Sequence, residues 1–266
     1  RLARRKQGAE RCELSFNFDN KSLDTSFVFS TRSKSEVQME KAPEQWLVKP
    51  PVFIPTRELL TLCPWFISLY EHTYVEFEET WRDTCSLLNA PTVKGAREKR
   101  IAELLKPLEE AMGGKVFVDS KSGRFYLSIV GEGNLEMPLI AEGLRKLAML
   151  ARLISTGTLL EQGYLFWDEP ETNLNPKLIK LIAKVLLHLC QNGIQIFMAT
   201  HSLFLLREIE ILSIEKQFAP IPKKYFALRP TDQGVYLEQG ESIDALQTLT
   251  LLDEELTQSD RFMQVG

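Results

Sequence analysis

No run of this sequence reaches the ~18 apolar residues that a membrane-spanning helix needs, and none reads as a secretory signal peptide. The expectation is a protein with no membrane partner. Cysteine is scarce: Cys12, Cys63, Cys85 and Cys190 are the four in the chain, and no two form a C-x-x-C pair. Scattered in this way they read as reduced thiols, which makes a cytoplasmic protein the expectation. There is no internal repeat and no low-complexity segment. A large excess of positive charge is also lacking. The net charge of −4 argues against wholesale coating of nucleic acid, while a local basic patch and a nucleic-acid partner stay open. No acidic cluster of the Toprim nuclease kind, no H-N-H pattern and no R-x-x-R pattern occurs. Nor does G-x-x-x-x-G-K-[ST]. Its nearest approach, Gly113-Gly114-Lys115, lacks the first glycine and the hydroxyl residue, and it leads into a strand, Val116 to Val118, instead of a helix.

What is present begins with an ordinary globular composition, 44% hydrophobic and 26% charged over 266 residues. That is enough for one large α/β domain, or a domain with an arm. The chain is organised around Gly163 to Leu203. Tyr164 to Trp167 is an apolar run bounded by Gly163 and Pro170, and predicts a strand buried on both faces. Asp168 and Glu169 then stand at its carboxyl end, the edge of an open α/β sheet where ligands bind. Successive side chains on a strand point in opposite directions, so the two acids suit two different jobs. Pro176 fits the first turn of a helix capped by Asn175. Lys177, Lys180, Lys184, His188 and Gln191 form one polar stripe on it, the remainder being apolar. Asn192-Gly193 ends the helix, and Ile194 to Ala199 follows as a second apolar strand. Strand, helix and strand predict a parallel βαβ unit. Both strands then finish on one edge, which brings His201 to the side of Asp168 and Glu169.

The succession of apolar run, Asp168-Glu169-Pro170, Asn173-Leu174-Asn175-Pro176 and Thr200-His201-Ser202 resembles the Walker B strand, D-loop and switch histidine of ABC-type ATPases. More narrowly it resembles the branch that holds the SMC and RecF proteins and the short stand-alone bacterial ATPases of the OLD and phage-defence type, Septu- and retron-associated ones included. Upstream, Ala141-Glu142-Gly143-Leu144-Arg145-Lys146 is similar to that family's signature motif. The likeness is close over residues 140 to 210 and weaker elsewhere. It implies a P-loop NTPase-like, ABC-type α/β fold, with a mostly parallel sheet flanked by helices, an antiparallel β part and a short helical arm.

The same resemblance implies ATP and Mg²⁺ as ligands and a homodimer or higher homo-oligomer with head-to-tail sites. Asp168 would hold the metal, Glu169 orient the attacking water and His201 sense the γ-phosphate. Asn173 and Asn175 would form the D-loop. Ala141, Glu142, Gly143 and Arg145 or Lys146 would reach the partner protomer's phosphate, although Ala141 stands where the family has Ser and Glu142 where it has Gly. The stretch Pro51-Val-Phe-Ile-Pro55 reads as a strand, and Thr56-Arg57-Glu58 lies where the family places a glutamine-bearing loop, here without the Gln. Arg57 could touch a phosphate and Glu58 a metal-bound water. An Arg-Glu pair capping a helix that starts there is an equal alternative.

Along the rest of the chain, Cys12 to Phe18 and Ser26 to Ser30 predict a hairpin or meander, with residues 31 to 45 as a polar connection. The basic run from Arg1 to Arg11 reads as a helix end or linker. Residues 57 to 112 are mostly helical. Trp65, Phe66, Leu69, Tyr70 and Tyr74 fit a core face better than a nucleic-acid platform, and Ile101, Leu104, Leu105, Leu108 and Met112 share one face. Lys115 to Asp119 and Arg124 to Val130 predict a hairpin, and Leu135 to Leu139 a further strand. Leu203 to Ile211 predicts a helix, Tyr225 to Leu228 and Gly234 to Leu237 a closing hairpin, and Asp244 to Leu256 a last helix. The expected division is 1–56, the N-terminal part of the ATPase lobe; 57–112, a helical arm; and 113–266, the C-terminal lobe. With no phosphate loop in the chain, the first strand, that loop and the first helix are expected before Arg1. The expected function is an ATP-driven switch for an effector such as a nuclease in DNA repair or antiphage defence. A catalytically inactive scaffold on the same fold is the alternative.

Overall fold

The computed structural model describes residues 11–30, 33, 36–73, 75–95, 98–160, 163–232, 234–247 and 249–265. Tyr74 and the basic run before Arg11 lie outside the described residues. Contacts divide the chain into two compact units, Arg1–Pro50 and Pro51–Gly266.

In the first unit, β1 (Arg11–Phe16) and β2 (Thr25–Ser30) pair antiparallel, from Arg11 opposite Ser30 to Phe16 opposite Thr25. Asn20 caps the short turn between them, its side chain accepting a hydrogen bond from the Ser22 amide. The polar stretch expected to be mere connection contains a third strand, β3 (Gln38–Lys41), which pairs with β2 across a bulge at Ser26/Phe27. Its sequence, Gln-Met-Glu-Lys, carries no hydrophobic alternation. What places it is the free edge of β2 together with the ion pair from Lys41 Nζ to Asp24 at 3.1 Å.

The second unit begins with β4 (Val52–Ile54), followed by three helices: α1 (Cys63–His72), α2 (Glu79–Asn89) and α3 (Glu98–Met112). No helix starts at Arg57. Pro64 sits in the first turn of α1, where a missing amide hydrogen does no harm. The Glu58 carboxylate instead folds onto the amide and hydroxyl of Thr61, a local bond that favours a turn over a helix. Of the α1 aromatics expected on a core face, Phe66 lies fully buried among Tyr70, Phe77 and Trp81, whereas Trp65, one residue before it and so turned away from that face, is exposed. On α3, Ile101, Leu104, Leu108 and Met112 are buried together.

An antiparallel sheet follows, β5 (Gly114–Val118), β6 (Phe125–Ile129) and β7 (Gly133–Glu136), in that order. The third strand stops at Glu136, and Met137 to Leu139 form a tight turn, because Pro138 has no amide hydrogen for the ladder. Then come α4 (Glu142–Ser155), β8 (Gly163–Asp168), α5 (Pro176–Gln191), β9 (Ile194–Ala199) and α6 (Leu203–Ser213). The hairpin of β10 (Tyr225–Thr231) and β11 (Gly234–Gly240) and the helix α7 (Thr250–Val265) complete the unit. The last helix begins six residues later than its charge pattern suggested, since Ile243–Ala245 forms a separate short turn.

The parallel sheet has the order β4-β8-β9, with Leu165 opposite both Val52 and Ile196. One face is sealed: Val52, Ile54, Leu165 and Trp167 are buried in the main core with α4. The other face corrects the expectation of strands covered on both sides. Phe166 is 39% exposed and Phe197 43%, and their rings stack 4.8 Å apart and nearly parallel. Hydrophobicity alone told nothing about which faces would be covered. Helix α4 is the centre of the core, with every residue from Lys146 to Ile154 buried, including two cations. One of them, Arg152, donates from Nε to the Leu88 carbonyl at 2.8 Å and from Nη2 to the Ala90 carbonyl at 2.6 Å, closing the end of α2. Among the described residues no helix is long and apolar enough to cross a membrane.

Candidate functional site

Three parallel strands deliver their carboxyl ends to one rim. Asp168 is the last residue of β8, directly opposite Ala199, the last of β9. Thr56 follows β4, and its hydroxyl donates to Asp168 Oδ2 at 2.8 Å. Beyond Asp168 the backbone turns sharply: Glu169 has φ 47° and Asn173 φ 64°, both in the left-handed region that non-glycine residues avoid at a cost of about 1 kcal/mol or more. The turn is nevertheless well tied. The Glu169 amide donates to the Ala199 carbonyl, the Thr172 amide to the Glu169 carbonyl and the Leu174 amide to the Glu171 carbonyl. Asn175 then caps α5, its side chain accepting from the Leu178 amide at 3.0 Å.

This turn separates the two acids as the pleat predicts. Asp168 faces Thr56, whereas the Glu169 carboxylate lies toward β9, with Oε1 3.2 Å from His201 Nδ1 and Oε2 accepting from the Thr172 hydroxyl at 3.0 Å. His201 does not cap the next helix. Ser202 does, accepting from the Leu205 amide, which leaves the imidazole 67% exposed at the rim.

One residue of the cluster escaped the sequence reading, and another was read as facing outward. Glu171 is buried, and its Oε1 accepts from the Thr200 hydroxyl at 2.7 Å and the His201 amide at 3.1 Å. It thereby holds the end of β9 onto the turn after β8, while Oε2 is buried without a hydrogen-bond partner. An acid within Pro-Glu-Thr-Asn reads as a solvated turn residue, so the only signal was proximity to Asp168. Lys146, by contrast, was in view but assigned outward. Its side chain is fully buried, and Nζ donates to the Glu169 carbonyl at 3.0 Å. Burial lowers its pKa from 10.5 to about 8, against the pull of Glu171, Glu142, Glu169 and Asp168. It cannot reach a second protomer.

The other predicted residues are placed as follows. Arg57 is exposed just after β4. Glu58 is 1% exposed, and its Oε1 lies 3.0 Å from Arg145 Nε. With Thr61 also bound to it, this carboxylate ties the segment after β4 to α4 and is not presented to a metal. Arg145 is committed to the same pair. Ala141 is the N-cap of α4 and makes no side-chain cap bond, which leaves the amides of the first turn without side-chain partners. Gly143 is buried against its own chain, since a Cβ there would lie 2.4 Å from the Asn173 carbonyl oxygen. A cleft of about 730 Å³ between α3 and α5, lined by Leu104, Leu181, Lys184 and His188 among others, shares no residue with this cluster.

A hard divalent cation suits the donors at the rim. The Thr56 hydroxyl and the Asp168 carboxylate set oxygen atoms side by side. Among the described residues no group of three His, Cys, Asp or Glu could hold a metal, yet Mg²⁺ commonly takes one carboxylate and completes its shell with water and phosphate oxygens.

A protein-family profile described as "AAA domain, putative AbiEii toxin, Type IV TA system" matches residues 14–207. No curated protein matches the chain. Among solved structures, an SMC head bound to the C-winged helix domain of ScpA superposes with a TM-score of 0.53 at 10% identity, over 89% of this chain and 76% of that one. The SMC head domain from Thermotoga maritima gives a TM-score of 0.47 at 10% identity, over 88% of this chain and 75% of that one.

Proposed function

From the premise that the chain belongs to that AAA-domain family and has a P-loop NTPase-like fold, we propose that it binds MgATP between two head-to-tail copies and hydrolyses it. The observation that carries this is the meeting of Glu169 and His201 from two parallel strand ends, 3.2 Å apart at a partly open rim. A carboxylate held beside an exposed imidazole can accept a hydrogen bond from water and orient it. His201, free of any capping duty, offers its ring to a terminal phosphate. Asp168 and Thr56 would hold the cation, which when bound neutralises phosphate charge. The amides of Glu142 and Gly143, which the Ala141 side chain does not cap, suit the partner copy's phosphate, and the exposed Arg57 suits a second contact. Glu58 is left out of this set because Arg145 and Thr61 occupy it.

The sequence carries no G-x-x-x-x-G-K-[ST] phosphate loop, so the reading requires a phosphate cradle that this motif does not supply here. Opening and closing of the dimer would be the output, acting on an effector such as a nuclease. The setting would be DNA repair or phage defence; the family description names a type IV toxin–antitoxin system. The inactive scaffold keeps one specific observation in its favour, the cap of α4 by Ala141 without a hydroxyl. Glu169→Gln in the full-length protein separates the two. ATP binding and dimerisation should persist while turnover falls by about 100-fold or more. Undiminished turnover would remove Glu169 from its role, and no turnover in the parent protein would leave the scaffold.

A further inference from the structure

The two residues of the rim with left-handed backbones, Glu169 and Asn173, are both met by the same face of α4. Gly143 and Lys146 are three apart in sequence and so lie one above the other on that helix. Gly143 lets the helix close on the Asn173 carbonyl, where even a methyl group would collide. Lys146 places its ammonium on the Glu169 carbonyl. We propose that Lys146, with Gly143, is a positioning residue for the hydrolytic carboxylate: α4 holds the Glu169–Asn173 turn in its left-handed form, and with it the aim of the Glu169 side chain.

The physical case is one of unequal alternatives. A fully buried ammonium is costly and is retained only where it meets strong acceptors. Here it has a carbonyl at hydrogen-bond distance and the field of four carboxylates, Glu171, Glu142, Glu169 and Asp168. The carbonyl it holds belongs to the one residue whose backbone must stay strained for its carboxylate to lie beside His201. Were the turn to relax to a right-handed conformation, the Glu169 carbonyl would swing and the side chain would leave the imidazole. The brace also gives α4 a function inside its own protomer. In the proposed dimer the helix whose first turn would face the partner's phosphate is the helix that sets Glu169, so a displacement of α4 would be felt at that carboxylate.

This rests on the reading that Glu169 orients water, and the experiment keeps the two apart. In the full-length protein, single-turnover hydrolysis and ATP affinity are measured for Glu169→Gln, Lys146→Met and the double variant. The expected result is a tenfold or greater loss of rate for Lys146→Met with ATP affinity changed less than threefold, and no further loss when Lys146→Met is added to Glu169→Gln. Losses that multiply in the double variant, or an unchanged rate in Lys146→Met, would overturn the positioning role while leaving Glu169 intact. An unchanged rate in Glu169→Gln would instead overturn the reading beneath it. A merely structural lysine would lower the melting temperature without this dependence on Glu169. Should Lys146→Met not accumulate folded, Gly143→Ala, which pushes on the same turn through Asn173, takes its place, judged only by whether its loss of single-turnover rate at saturating ATP disappears when Glu169→Gln is already present.

Discussion

Glu171 joins two strand ends that the βαβ crossover only brings near one another. Its carboxylate collects the Thr200 hydroxyl and the His201 amide, bonds that set where the imidazole stands relative to Glu169. Removing it leaves the amide and hydroxyl unanswered in a mostly buried place, a cost of about 1–3 kcal/mol, and frees the end of β9. Glu171→Ala in the full-length protein should therefore lower the ATPase rate by about tenfold or more, with Glu171→Gln milder because an acceptor oxygen remains. Steady-state rates of the two variants side by side check this, and equal, unaltered rates would count against the linkage. Of the residues at the rim, Asp168, Glu169 and His201 were legible because apolar runs lead into them and fix the edge on which they end. Lys146 and Glu171 were not. Their importance comes from burial, and a lysine at a helix start or a glutamate in a turn reads by default as solvated.

Among the elements, the βαβ unit was legible almost to the residue. Long apolar stretches, a proline at a helix start and Asn-Gly at its end leave little freedom, and Gly193 does take the left-handed conformation at φ 88°. The strand β3 was hidden because an edge strand of polar residues borrows its geometry from its neighbour. The start of α1 was misplaced because a side-chain bond within Glu58–Thr61 competes with helix formation. Helix α4 is buried all round from Lys146 to Ile154, and its second buried cation shows what periodicity omits. Arg152 satisfies two carbonyls at the end of α2, and burial depresses its pKa. Arg152→Met would strand both carbonyls and detach α2 from α4. The expected loss is about 2–4 kcal/mol, to be read as a lowered urea midpoint with the slope unchanged. A shift under half a kcal/mol would mean that water replaces the guanidinium.

For the whole molecule, the composition suggested one α/β body with an arm, and the parallel sheet and P-loop NTPase-like fold bear out the fold class. What composition could not tell is how many strands the sheet would have, or which of its faces would be covered. These 266 residues contain the rim proposed to orient water and face a metal but no G-x-x-x-x-G-K-[ST] loop, and catalysis of phosphoryl transfer depends on such positioning. The chain by itself should release no phosphate from ATP above background in a continuous assay. Measurable turnover by it alone would show that the rim suffices.

The stacked rings of Phe166 and Phe197 carry a consequence for handling. Two flat hydrocarbon surfaces left in water at the middle of a sheet lower the solubility of whatever chain carries them. Residues chosen only for life in solvent would be polar at both places. Replacing both rings by threonine should therefore raise the concentration at which the chain stays in solution.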